Sequence, residues 1–145
     1  MSETIRFVTG EADLAACRAL RHTVFVEEQG VSVADEIDGL DPDCLHLLAR
    51  QDGVPVGAAR VLIRDGVAKI GRVCVLPDRR GTGLGARMLD AMLSHLGTLP
   101  EVTKAKLGSQ IAAMSLYSRA GFRPVGERYL DAGMPHQDME RPVRD

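Results

Sequence analysis

The chain switches between two hydrophobic periods, and the switch points divide it into elements. Ile5 to Val8 is a short apolar run that predicts a first strand. Thr9 is placed to cap the helix that follows, in which Leu14, Cys17, Leu20 and Val24 recur at spacings of three, three and four on one face. Gly30 ends that region, and Val31 to Asp43 predicts an acid-rich loop. Leu45 to Arg50 and Val56 to Arg64 predict strands joined across Asp52-Gly53, a pair suited to the positive φ angles of a tight hairpin. Asp65-Gly66 is a second such turn, leading into Ala68 to Leu76, so three antiparallel strands follow one another. The period then lengthens. Leu84, Met88, Met92 and Leu96 recur every fourth residue with Leu89 and Leu93 beside them, which predicts an amphipathic helix packed on a sheet. Lys104 to Gly108 predicts a strand and Ile111 to Arg119 a short helix stopped by Gly121; Arg123 to Tyr129 and Gln137 to Arg141 are weaker strands. The predicted order is β-α-βββ-α-β-α-β(β), without repeats, linkers or low-complexity segments.

Composition narrows the classes. A chain of 145 residues, 45% of them hydrophobic, is expected to form one domain over 1–145 with one substantial core. The formal charge of −2 and the absence of a Lys/Arg run give no electrostatic support for a nucleic-acid partner. Cys17, Cys44 and Cys74 are scattered, without C-x-x-C spacing. That suits reduced cytosolic thiols better than a disulfide framework or a zinc site, so no metal is expected. With no apolar signal region and no 18-residue apolar run, the sequence predicts a cytoplasmic protein with no membrane partner.

The chemistry concentrates between Arg72 and Leu89, where an apolar strand passes through a glycine-rich turn into the long helix. Gly81, Gly83 and Gly85 remove side chains where the backbone turns, so the N–H groups of Arg80, Gly81, Thr82, Gly83, Leu84, Gly85 and Ala86 can close around a pyrophosphate at the helix start. Gly81-x-Gly83-x-x-Ala86 also fits a dinucleotide fingerprint, with Glu101 about 20 residues on. Glu101, however, follows Pro100 ahead of the next strand, and too little chain remains for a dinucleotide domain. A P-loop requires G-K-[ST] where Leu84-Gly85 stands.

Arg80-x-x-Gly83-x-Gly85, preceded by Val73-Cys74-Val75, resembles motif A of the GNAT superfamily, the acyl-CoA-dependent N-acetyltransferases. Gln110 to Phe122, Q-I-A-A-M-S-L-Y-S-R-A-G-F, is similar to the family's motif B, a tyrosine-bearing helix ending in G-F. Leu20 to Val31, Glu36-x-Asp38, His46 to Ala49 and Pro135-His136-x-x-Met139 resemble the ElaA-like subgroup of small bacterial members. Arg79 departs from the pattern, standing where an apolar residue is common. The resemblance covers nearly the whole chain and implies the GNAT fold: an α+β, mixed α/β architecture with a central, mostly antiparallel twisted sheet flanked by helices.

It further implies acetyl-CoA as acyl donor, a small primary amine as acceptor, and direct transfer in a ternary complex; it is compatible with a homodimer. The pantetheine arm is expected along the backbone of Val73, Cys74 and Val75, with the Val75 N–H as oxyanion donor and Gln110 contacting the arm. Arg79, Arg80 or Arg87 add charge near the phosphates or are solvated surface arginines. Cys74 reads as a core residue, since no histidine is near it in sequence and an apolar strand does not activate a thiol. Tyr117 falls at the position that protonates or hydrogen-bonds the departing sulfur, with the alternative of an aromatic on an apolar helix face. Glu28, Glu36, Asp38, His46 and His136 are candidates to take the amine's proton, and Glu36, Asp38 and His46 complete the expected catalytic set with Tyr117. A solvated acidic loop, attractive to a cationic substrate, and a structural histidine are the plainer readings of these groups. Two rival functions remain: a non-catalytic acyl-CoA-binding or regulatory module, and protein N-terminal or lysine acetylation.

Overall fold

Tight turns do much of the folding. In the computed structural model, which describes residues 2–144, Asp52 and Gly53 take φ of 51° and 81°, and Asp65 and Gly66 take 51° and 78°. These left-handed pairs match the twist of the strands they join. They link β2 (Leu45–Gln51), β3 (Val54–Arg64) and β4 (Val67–Val75) into an antiparallel meander, with β1 (Glu3–Val8) added at the β2 edge. α3 (Leu84–Leu96) then carries the chain to β5 (Lys104–Gln110), and α4 (Met114–Arg119) leads to the hairpin β6 (Arg123–Asp131) and β7 (Met134–Pro142). The seven strands form one sheet in the order β1-β2-β3-β4-β5-β7-β6, antiparallel at every pairing except β4 with β5.

The structure corrects the sequence reading at four points. α1 (Glu11–Arg21) starts after Gly10, whose φ is 96°, with no side-chain cap, so Thr9 does not serve as one. The helix then widens into a π-helical stretch, His22–Glu28, instead of continuing as an α-helix through Val24. The segment 31–43 is not all loop: Ser32 Oγ accepts the Asp35 N–H (3.1 Å) and caps α2 (Val33–Glu36), and a 3₁₀ turn forms at Asp41–Asp43. The last two strands are longer than predicted because Ala132-Gly133 forms their turn, with alanine at an unusual φ of 51°.

The sheet separates two apolar layers. On one face α3 buries Leu84, Met88, Leu89, Met92 and Leu96 against Leu47, Val61, Ala68, Ile70, Ala105 and Leu107. Burying each Leu, Met, Ile or Val side chain among these contributes about 2 kcal/mol. Helix and sheet approach closely at Gly57, where a Cβ would lie 2.8 Å from Met88 Sδ. On the other face Cys17, Leu20 and Val24 cover Leu48, Ala58 and Cys74. β4 contributes to both layers. Ala58 pairs with Cys74 but Arg60 pairs with Gly71, so Arg72 and Val73 both lie across from Ala59 in a β-bulge, with Arg72 at φ 52°. The bulge inverts the alternation. Before it Ala68 and Ile70 face α3; after it Val73 and Val75 do, and Cys74 turns to α1.

Candidate active site

The parallel ladder between β4 and β5 stops at Ile70 opposite Leu107, although both strands continue. Beyond that rung β4 has no strand partner on its β5 side, and residues 71–75 present a backbone edge to a cleft of ≈ 700 Å³. Val73, Gln110, Tyr117 and His136 line its splayed end; Lys69, Lys106 and Arg64 line the end where the strands are still paired. An extended ligand can add to such an edge as a strand does.

The glycine turn lies directly after β4. Gly81 and Gly83 take φ of 75° and 84°, and Gly83 is the left-handed N-cap of α3 with no side-chain cap and no acidic residue in the first turn. The first N–H groups of a 13-residue helix are thus left to an outside acceptor. At Gly85 a Cβ would make only ordinary contact with Leu116, at 3.5 Å, so packing does not require glycine there. The nearby arginines are engaged within the protein: Arg80 holds Glu28 through both guanidinium nitrogens (2.6 and 2.7 Å) and the Val75 carbonyl (3.0 Å), and Arg87 holds Glu3. Arg79 pairs with Asp78.

Tyr117 projects from α4 into the cleft, 7% exposed, with Phe122 edge-on at 6.0 Å. Burial alone pushes its pKa up to about 12. Cys74 is also buried, its thiol pushed up to about 12, and the bulge directs it into the α1 layer, away from the Tyr117 layer. Its side chain belongs to the core, and only its backbone lies at the exposed edge of β4. Gln110 donates to Gln29 Oε1 (2.9 Å), tying the end of β5 to the end of the π-helical stretch.

The acidic segment is neutralised from within, which corrects its reading as a solvated loop open to a cation. Glu36 is buried, and both of its oxygens accept from Arg21 (2.7 and 3.0 Å). Arg21 also reaches both oxygens of Asp41 (2.8 and 2.9 Å). Arg60 bridges Asp41 (2.9 Å) to Asp38, and Arg72 donates to Asp38 (3.2 Å) from the bulge. The Arg60 hydrogen bonds hold the Asp38 carboxyl well below the usual range, and Arg21 and Arg60 together outweigh burial to bring Asp41 down to about 2. Such carboxylates are poor proton acceptors. Glu28 is depressed likewise by Arg80. His46 is buried with its Nε2 2.9 Å from the Asp41 carbonyl and is absent from the cleft lining, which corrects its grouping with the catalytic residues.

His136 stands apart from these. It lies on β7 opposite Gln110, buried and lining the cleft, with Nδ1 2.8 Å from the Met134 carbonyl and Tyr129 stacked on it. A carbonyl only accepts, so in the neutral ring Nδ1 carries the proton and Nε2 keeps its lone pair. Sequence reasoning missed the arginines of the acidic network and the bulge; a glycine at 71 inside an apolar strand was the available sign of the latter.

The site thus combines a splayed parallel pair with an uncapped helix start, and residues 13–142 match the family model described as Acetyltransferase (GNAT) domain. The chain belongs to the GNAT family of acyl-CoA N-acyltransferases and is a GNAT N-acetyltransferase. It is 36% identical to a Bacillus subtilis protein named as the uncharacterized N-acetyltransferase YjcF, over 83% of this chain and 86% of the relative. Among solved structures it is similar to an acyl-CoA N-acyltransferase from Pseudomonas aeruginosa, at 34% identity and TM-score 0.84 over 97% and 98% of the two chains. Escherichia coli ElaA matches at 31% identity and TM-score 0.87, over 97% and 99%. Among the described residues no helix is long and apolar enough to cross a membrane, and no group of three His, Cys, Asp or Glu side chains could hold a metal.

Proposed function

We propose that the protein transfers an acetyl group from acetyl-CoA to the primary amine of a small molecule, directly and in a ternary complex. The observation that carries this reading is the cleft itself, where the unpaired edge of β4, the uncapped start of α3 and the Tyr117 side chain converge. In this reading the pyrophosphate rests on the N–H groups of residues 80–86, and the pantetheine arm lies along residues 73–75. Gln110 contacts the arm, and a backbone N–H, that of Val75, polarises the thioester carbonyl.

The amine must be neutral to attack. At an ordinary pKa of about 10.4 this costs roughly 4.6 kcal/mol at pH 7. His136 Nε2 is the group we assign to accept that proton, directly or through a water, because Glu36, Asp38 and Glu28 are held by arginines. The nitrogen forms its bond to the carbonyl carbon as the carbon–sulfur bond breaks, and the departing thiolate accepts a hydrogen bond from Tyr117. A buried Cys74 with a raised pKa supports transfer without an acyl-cysteine intermediate.

The test is CoA release by the purified protein with acetyl-CoA and a panel of amines, in the wild type and in His136→Asn. Amine-dependent release, with the variant losing the acid limb of the kcat/KM profile, is the expected result. Binding of acetyl-CoA without release by any amine would instead establish a non-catalytic module.

A further inference from the structure

The floor of the cleft carries a cluster of cations that the fold leaves out of any ion pair among the described residues. Lys69 of β4 and Lys106 of β5 are direct partners in the parallel ladder, so both project from the same face of the sheet. Both line the cleft, one rung below the point where the strands part. Arg64, near the end of β3, lines it beside them. Among the described residues none of the three enters an ion pair. Glu140 of β7 is the direct ladder partner of Lys106 on its other side, but its carboxylate reaches toward Lys104 (3.5 Å). Asp35 and Asp131 also line the cleft: Glu36 and Asp38 are held by Arg21, Arg60 and Arg72, while Arg72 reaches only the backbone carbonyl of Asp35, and Asp131 sits at the β6 tip. Like charges directly opposite in a ladder destabilise it, and in the cleft the unpaired Arg64, Lys69 and Lys106 outnumber the unpaired carboxylates of Asp35 and Asp131, which leaves that cost to be relieved by an anionic ligand.

We infer that the acceptor is an anionic amine, a molecule with a carboxylate or phosphate at its far end, which Lys69 and Lys106 hold while the amine reaches the splayed end of the cleft. This rests on the proposed transfer reaction and adds the acceptor's chemistry to it. The two ends lie four residues apart along β4, about 13 Å of strand. The reach of a lysine side chain takes up about half of that distance. An amine separated from its anion by five or six bonds spans the rest. A dication such as a polyamine would meet the same lysines with the wrong sign, the opposite of what the acidic segment suggests in sequence.

The probes are four amines of one length: 6-aminohexanoate, 5-aminopentyl phosphate, hexylamine and 1,6-diaminohexane. Calorimetric titration into protein saturated with CoA, which has no acyl group to transfer, reads binding without turnover. Both anionic amines should bind at least about tenfold more tightly than the diamine. Lys69→Ala/Lys106→Ala should abolish that ratio, and Lys69→Glu/Lys106→Glu should invert it; the two anionic probes tell carboxylate from phosphate. Equal or tighter binding of the diamine to wild type, an intact ratio in the double alanine variant, or no binding of any probe would overturn the inference. Anion-selective binding with no CoA release from acetyl-CoA would leave the charge preference standing and remove the transfer reaction instead.

Discussion

Tyr117 offers a prediction whose size follows from burial. A departing CoA thiolate is the conjugate base of an ordinary thiol, with a pKa near ~8.5. The Tyr117 phenol, pushed up by burial to about 12, holds its proton more firmly. Full transfer from phenol to thiolate would be uphill by about 3.5 units, or roughly 5 kcal/mol. The hydroxyl therefore acts by donating a hydrogen bond to the developing charge, an interaction worth about 1.5–3 kcal/mol. Tyr117→Phe should lower kcat by about 10- to 150-fold and leave acetyl-CoA affinity near wild type. No protein group loses a partner in that substitution, so thermal stability should change by less than about 1 kcal/mol. The assay is steady-state CoA release across pH 6 to 10, with acetyl-CoA binding measured separately. A loss of about 10⁴-fold or more, or a basic limb in the wild-type kcat profile that disappears in the variant, would show that the tyrosine gives up its proton and would refute this reasoning.

Gly83→Asp places a carboxylate at the start of α3 and should abolish the stabilisation by acetyl-CoA, about 2.7 kcal/mol at a hundredfold excess over Kd, read as a lost shift in Tm. Glu36→Ala leaves the buried Arg21 with Asp41 alone and should cost about 3 kcal/mol, a fall in Tm of roughly 6–12 °C by calorimetry. The arginine-held Asp38 and Asp41 have folded pKa values below their unfolded ones, so their contribution is complete above the unfolded value and is lost as pH falls through the folded values. For Asp41 that window runs from 3.8 down to about 2. Acid titration of stability should show a loss continuing below pH 4, and Asp41→Asn should flatten it while lowering stability at neutral pH.

The sequence disclosed what depends on neighbours along the chain. The period of Leu84, Met88, Met92 and Leu96 marked α3, two Asp-Gly pairs marked the meander, and the glycine spacing marked the turn before the helix. It was silent where partners meet only in space. The pairing of Arg21 with Glu36 and Asp41, and of Arg60 with Asp38, joins α1, β3 and the segment between them, and no spacing rule links those positions. The acids therefore read as free, although each is already held. Lys69 and Lys106 are 37 positions apart and become neighbours only once β4 and β5 are known to run parallel in that register. Ala132-Gly133 escaped notice because alanine is rarely found at positive φ, so the last hairpin looked shorter than it is.

The bulge at Arg72 has a consequence for how this strand can vary. Because one added residue inverts which side chains face which layer, substitution and deletion are not comparable injuries here. Exchanging Val73 for another apolar residue changes a contact. With Gly71 opposite Arg60 and Cys74 opposite Ala58, removing Arg72 would close the bulge and leave Val73 and Val75 toward α3 and Cys74 toward α1, whereas removing Cys74 would turn Val73 toward α1 and drive Arg72 toward α3. The segment behaves like a reading frame: its residue count carries information that its residue identities do not, and a variant library made by substitution alone would never reveal it.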